Sequence, residues 1–323
     1  MSLPAHAPDP APAAPALVLG TVQLGLPYGI ANRSGQPDEA MAGAILAEAA
    51  ALGITQWDTA RAYGEAEARI GKARAALPAA ARARLEILTK LSPLSDLPAD
   101  AGPAAVGAAV SASVEASRAA LGQDRLDTLL LHRAAHLDSH GGAVWMACRA
   151  LRSTGIVGRL GGSVQSPAEA LRALAEPALT HIQLPLNLLD GRWAAAGVPE
   201  ALAARPDCRV HVRSALLQGL IGGLDPALYA RVFGADGPAV RLFVKEAVAR
   251  FGRASPADLA LAYVRALPFV HGIVVGAETL DQLRANRAAF AAPPLAPEAR
   301  AALEAERPAV PAATLDPAQW SRP

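Results

Sequence analysis

Four polar residues of complementary chemistry stand at the ends of successive short apolar runs: Asp58, Tyr63, Lys90 and His132. They fall in Gln56-Trp-Asp58-Thr-Ala-Arg-Ala-Tyr63-Gly, in Leu85-Glu-Ile-Leu-Thr-Lys90 and in Leu126-Asp-Thr-Leu-Leu-Leu-His132. Such a set can deliver a proton to a carbonyl oxygen while a hydride reaches its carbon. A phenol, with an ordinary pKa of about 10, is a weak donor at neutral pH. A neighbouring ammonium favours the phenolate and so makes the phenol a better acid. A carboxylate paired with that ammonium keeps it charged and in place, and an imidazole on the same rim orients the carbonyl or relays a proton. Tyr63 is thus expected to be the general acid, Lys90 its tuner, Asp58 the anchor of Lys90 and His132 the carbonyl-orienting partner. The chain has only three lysines (Lys72, Lys90 and Lys245) and four tyrosines, so finding both types here is informative.

Convergence needs a scaffold that brings the ends of these runs to one rim. Strand-length apolar runs lie at 17–20, 55–57, 85–88, 128–131, 157–161, 181–184, 209–212 and 273–275. Amphipathic or alanine-rich stretches at 38–51, 66–76, 105–121, 144–153, 167–174, 199–204, 239–251 and 279–289 separate or follow them. Ser255-Pro256-Ala-Asp258 signals a further helix start, and 297–306 a closing helix. Eight strands alternating with helices, without a long linker, predict an α/β fold of the (β/α)8 TIM-barrel type as one domain. The active site of such a barrel forms at the C-terminal ends of its strands. A doubly wound sheet would instead favour a Gly-x-Gly-x-x-Gly turn after the first strand, where this chain reads Gly20-Thr-Val-Gln-Leu-Gly25.

Composition narrows the function classes. Of 323 residues 52% are hydrophobic, enough for a large core, and the net charge of +1 leaves no basic face for nucleic acid. No apolar run reaches the roughly 18 residues of a membrane helix. Residues 1–16 alternate Pro and Ala without the features of a signal peptide and are expected to be a solvated tail, with the barrel over 17–306 and a C-terminal tail over 307–323. Cys148 and Cys208 have no metal-type spacing, which points to a reducing, cytoplasmic setting. His132, His136 and His140 recur at every fourth residue, but Leu129-Leu-Leu-His132 reads as strand and Asp138-Ser-His-Gly-Gly as turn, so no metal site is expected.

Gly20-Thr-Val-Gln, Asp58-Thr-Ala-x-x-Tyr63-Gly-x-x-Glu67, Thr89-Lys90, Leu131-His132 and Val275-Gly-Ala-x-Thr-x-x-x-Leu-x-x-Asn286 together resemble the aldo-keto reductase superfamily over about residues 18–290. The resemblance implies a (β/α)8 barrel that binds an extended NADP or NAD and reduces a small-molecule carbonyl. It assigns the catalytic roles to Asp58, Tyr63, Lys90 and His132. It carries cofactor contacts onto Gly20, Thr21, Ser163, Gln183, Arg213, Ser214, Leu216, Gly276, Gln282 and Asn286. Two positions depart from the family pattern: Val164 replaces the Asn that usually follows the strand-five serine, and Arg213 stands where an aromatic usually stacks on nicotinamide. The adenosine end offers Glu278 and, as nearest base, Arg284, which leaves the choice between NADP and NAD open. Tyr28, Trp193 and 217–238 are candidates for substrate contact.

Two other functions fit parts of the pattern. One is a regulatory protein that holds NAD(P) with little turnover, which the Val164 and Arg213 departures permit. The other is a Schiff-base lyase or isomerase using Lys90, which would leave Asp58 and Tyr63 without a required role.

Overall fold

All eight apolar runs form strands in the computed structural model, which describes residues 14–320. The strands are β1 Ala16–Gly20, β2 Gln56–Asp58, β3 Glu86–Lys90, β4 Leu126–Leu131, β5 Val157–Ser163, β6 His181–Pro185, β7 Arg209–Arg213 and β8 Gly272–Gly276. All are parallel, in chain order, and β8 pairs with β1 to close the barrel. Six of them (β2, β3, β5, β6, β7 and β8) run past the apolar stretch at their C-terminal ends. Backbone pairing continues there although the side chains turn polar, so Asp58, Lys90, Ser163 and Arg213 are the last residues of their strands. The expected tail at 1–16 lies outside the described residues except at its end, where Ala16 already pairs with Gly272.

Alternation along each strand splits the side chains into two sets. Leu19, Trp57, Ile87, Leu129, Ile182 and Val210 join the apolar core beneath the helices. Helix Glu39–Ala51 shows how the helices complete it: Asp38 caps its start by accepting from Met41 N–H, and Ala42, Ile45, Leu46 and Ala49 bury one face. Burying an Ile or Leu there contributes about 1.5–3 kcal/mol. The second set fills the barrel and is largely polar. Gln56, Glu86 and Arg209 tie β2, β3 and β7 together at one end, with Arg209 Nη1 2.8 Å from Glu86 Oε1. Asp58, Lys90 and Gln183 tie β2, β3 and β6 at the other. Between them His181 and His211 meet edge to face, with ring centroids 4.4 Å apart. Gly272 leaves room for them, since a Cβ on it would stand 2.8 Å from His211 Nε2.

Some elements differ from expectation. Short helices at Ala79–Ala83, Arg192–Ala195 and Pro226–Phe233 were not anticipated. Two 3-10 turns, Ala134–Leu137 and Ser139–Gly142, follow β4, and His136 Nε2 and His140 Nε2 bond separate carbonyls, of Pro93 and Pro98, so the three histidines share no helix face. Beyond helix Pro297–Glu306 the chain folds back through turns Ala312–Leu315 and Pro317–Gln319, burying Leu315 and Asp316. Among the described residues no helix is long and apolar enough to cross a membrane.

Candidate active site

Backbone contacts set the position of the phenol. Thr21 donates to the Asp58 carbonyl through both its N–H (3.0 Å) and its hydroxyl (2.8 Å), fixing the loop after β1 to the end of β2. The turn that follows carries Tyr63 against that loop so closely that a Cβ on Gly25 would stand 1.8 Å from the Tyr63 carbonyl oxygen. Gly64 takes φ +52°, and its own Cβ would lie 2.4 Å from Gly25 O. One turn further, the buried Glu67 accepts from the Thr89 hydroxyl at 2.6 Å and from Arg61. That bond locks helix Ala66–Ala76 to β3 one residue before Lys90.

The four expected residues do converge. Lys90 Nζ donates to Asp58 Oδ1 at 2.7 Å and to the Thr59 carbonyl at 2.9 Å, with both charged side chains almost fully buried. The second oxygen, Asp58 Oδ2, accepts from Gln183 Nε2 at 2.7 Å across the barrel. Lys90 Nζ lies 5.0 Å from the Tyr63 ring centroid, and the Tyr63 and His132 rings stand 6.2 Å apart at 80°. Burial works against the Lys90 charge, but the charge of Asp58 and the phenol oxygen of Tyr63 outweigh it and hold its pKa above the usual lysine value. His132 moves the other way: burial, reinforced by the Lys90 charge, pushes it down to about 4. The rim thus holds an ammonium, a carboxylate, a phenol and a neutral imidazole.

A cleft of about 930 Å3 opens above them. Of the expected cofactor residues, Gly20, Thr21, Ser163, Arg213, Ser214, Leu216, Gly276, Gln282 and Asn286 line it. Gln183 does not: it is fully buried behind the tetrad, with its amide turned to Asp58. Asn286 Nδ2 donates to the Gly276 carbonyl at 3.1 Å and fixes the turn after β8. Ser214, Leu217 and Gln218 all take positive φ (60°, 48° and 55°), followed by Gly219, so the backbone turns tightly along the cleft wall and closes on its own carbonyls, Leu217 N–H donating to Ser214 O and Gly219 N–H to Leu216 O. Tyr28 reaches the cleft and its hydroxyl accepts from Gln218 Nε2 at 3.1 Å. Trp193 is instead buried, donating to Asp190 Oδ2 at 2.9 Å, and packs its own loop.

Residues outside the expected site also line the cleft, among them Arg133, Gln165 and Glu169. Gln165 joins the two departures from the family pattern into one structure. Arg213 donates to the Val164 carbonyl at 3.1 Å and to Gln165 Oε1, while Gln165 Nε2 donates to Asp316 Oδ1 at 2.5 Å. The guanidinium is therefore fixed beside Ser163, and the C-terminal segment is tied to the cleft wall, where Ala318 also lines it. No signal in the sequence could connect positions 151 residues apart.

Comparison with known proteins agrees with this geometry. The profile of the aldo/keto reductase family matches residues 16–306. A Pseudomonas aeruginosa protein described as a candidate aldo-keto reductase is 26% identical over 88% of this chain and 93% of its own, with a TM-score of 0.62. The barrel also resembles that of an aldo-keto reductase from Bacillus halodurans solved in its holo form, at 24% identity, a TM-score of 0.73 and coverage of 90% and 92%. No curated protein matches the chain. The family profile spans nearly the whole barrel, and the chain is therefore an oxidoreductase of the aldo/keto reductase family.

Proposed function

We propose that the protein reduces a small aldehyde, ketone or sugar carbonyl at the expense of NADH or NADPH, and runs the reverse oxidation at the same site. The observation that carries this reading is the buried Lys90 ammonium, held by Asp58 and placed 5.0 Å from the centre of the Tyr63 ring. The cleft suits an extended dinucleotide: it runs from the tetrad past Ser163 and the curled backbone at 214–219 to the turn after β8. Ser163 and Arg213 would hold the nicotinamide end and the backbone around Ser214 and Leu216 the pyrophosphate. When bound, the cofactor supplies the hydride.

The protein's residues supply the proton. Tyr63 donates its hydroxyl proton to the carbonyl oxygen as negative charge develops there. Lys90 stabilises the phenolate left behind, and Asp58 keeps Lys90 charged and immobile. His132, neutral at ordinary pH, donates an N–H to the same oxygen and orients it. The reverse direction uses Tyr63 as base. A Schiff-base role for Lys90 needs an uncharged amine, whereas this one is paired, buried and raised in pKa. The free thiols of Cys148 and Cys208 fit a cytoplasmic enzyme.

A second reading, an NAD(P)-binding regulatory protein with little turnover, draws on one observation: Arg213 is fixed to Val164 and Gln165 where a stacking aromatic is usual in the family. Incubation of the purified protein with NADH or NADPH and a panel of aldehydes, ketones and aldoses, followed by nicotinamide absorbance, separates the two. Turnover on at least one carbonyl class is expected. Cofactor binding with no turnover across the panel would instead select the regulatory reading.

A further inference from the structure

If the cleft holds a nicotinamide dinucleotide, as proposed above, its two ends have different tasks. The reactive end is set by Tyr63 and His132, and the remote end by the turn from β8 into helix Leu280–Ala291. With nicotinamide at the first, the adenosine ribose would lie toward the second, the far end of the same cleft. NAD and NADP differ only there, in a 2′-hydroxyl or a 2′-phosphate, so the charges at that end decide between them.

At the remote end the cleft is lined by Gly276, Glu278, Gln282 and Asn286, of which only Glu278 is charged. Its carboxylate is held in place: Gln282 Nε2 donates to Glu278 Oε2 at 3.0 Å, and the Glu278 N–H donates to Gln282 Oε1 at 2.7 Å. The nearest base points elsewhere. Arg284 Nε lies 2.9 Å from Glu48 and its Nη1 3.7 Å from Asp281, so both carboxylates draw it off the cleft. The cationic side chains that do line the cleft, Lys90, Arg133 and Arg213, belong to the reactive end. A helix start attracts anions in general, but two donors here are already engaged, the Gln282 N–H by Thr279 Oγ1 at 3.2 Å and the Glu278 N–H by Gln282. A carboxylate accepts a hydrogen bond from a ribose hydroxyl and repels a phosphate.

We propose that Glu278 makes this site selective for NAD(H), accepting a hydrogen bond from the adenosine ribose 2′-hydroxyl and excluding the 2′-phosphate of NADP(H). The test is fluorescence titration of the purified protein with NADH and with NADPH, at low and high salt, repeated for Glu278→Gln and Glu278→Arg. NADH is expected to bind about tenfold or more tighter than NADPH. The gap should narrow in Glu278→Gln and at high salt, and reverse in Glu278→Arg. Equal or tighter binding of NADPH by the unaltered protein overturns the assignment while leaving the oxidoreductase reading intact. So does a preference that survives both substitutions unchanged. Binding of neither nucleotide overturns the dinucleotide reading and this assignment with it.

Discussion

Lys90 carries its charge in a place that burial opposes, and the opposition is met by named partners: Asp58, the Thr59 carbonyl and the Tyr63 ring. Removing one member of a buried ion pair leaves the other uncompensated, at a cost of about 3–5 kcal/mol. Lys90→Met should therefore unfold in urea with roughly 3 kcal/mol less stability, and adding Asp58→Asn should cost less than the sum of the two single changes. A loss below about 1 kcal/mol for Lys90→Met would mean that the pair is not ionised as described. These residues were legible in the sequence because a lysine and a tyrosine, each rare in this chain, stand at strand ends with an acid and an imidazole. Gln183 was expected at the cofactor, whereas it is buried against Asp58 and does not line the cleft. Its bond to Asp58 crosses the barrel between positions 125 residues apart, and only closure of the sheet brings them together.

At the scale of elements, the decisive device is the backbone contact between the loop after β1 and the turn bearing Tyr63. Neither Gly25 nor Gly64 can carry a side chain without moving that turn. Gly25→Ala is expected to displace Tyr63 and lower kcat by about tenfold or more, because a misplacement of about 1 Å can cost a hundredfold. Cofactor affinity should fall much less, since the bulk of the cleft lies elsewhere. Fluorescence titration beside steady-state kinetics checks the split, and an unaltered kcat would mean that the turn does not set the phenol. The strands and longer helices could be read from apolar periodicity, whereas strand ends could not, because β2, β3, β5 and β7 finish on the polar residues that form the site. Helix Pro226–Phe233 has the same kind of start in Asp225-Pro226 as the one at Ser255-Pro256, and Asp225 caps it through the Ala227 and Leu228 N–H groups.

For the whole molecule, the polar barrel interior makes stability depend on pH. His181 and His211 are completely enclosed, and burial, reinforced by nearby arginines, holds His181 well below its ordinary value and His211 down to about 3. The unfolded chain takes up these protons near pH 6.5, whereas the native barrel refuses them. Stability is thus full above pH 6.5 and is lost as pH falls through the window below it, by up to about 1.4 kcal/mol per pH unit for each histidine. Urea unfolding between pH 7 and 5 should show this slope, and His211→Asn should reduce it by one proton. A flat profile over that range would contradict the buried, neutral assignment. The closed barrel and its single large core followed from the eight-fold alternation of strands and helices. The fold-back of 312–319 onto the cleft wall did not, because Asp316 gains its role only through Gln165.

In the proposed mechanism Tyr63 is the proton donor to the carbonyl, and every other residue role depends on it. Tyr63→Phe removes one oxygen and keeps the ring against His132. Steady-state reduction of an accepted carbonyl by this variant, with cofactor affinity measured alongside, is the most direct test. The expected result is a kcat lower by about 10²–10⁴-fold with cofactor affinity retained; turnover equal to that of the unaltered protein would contradict the mechanism.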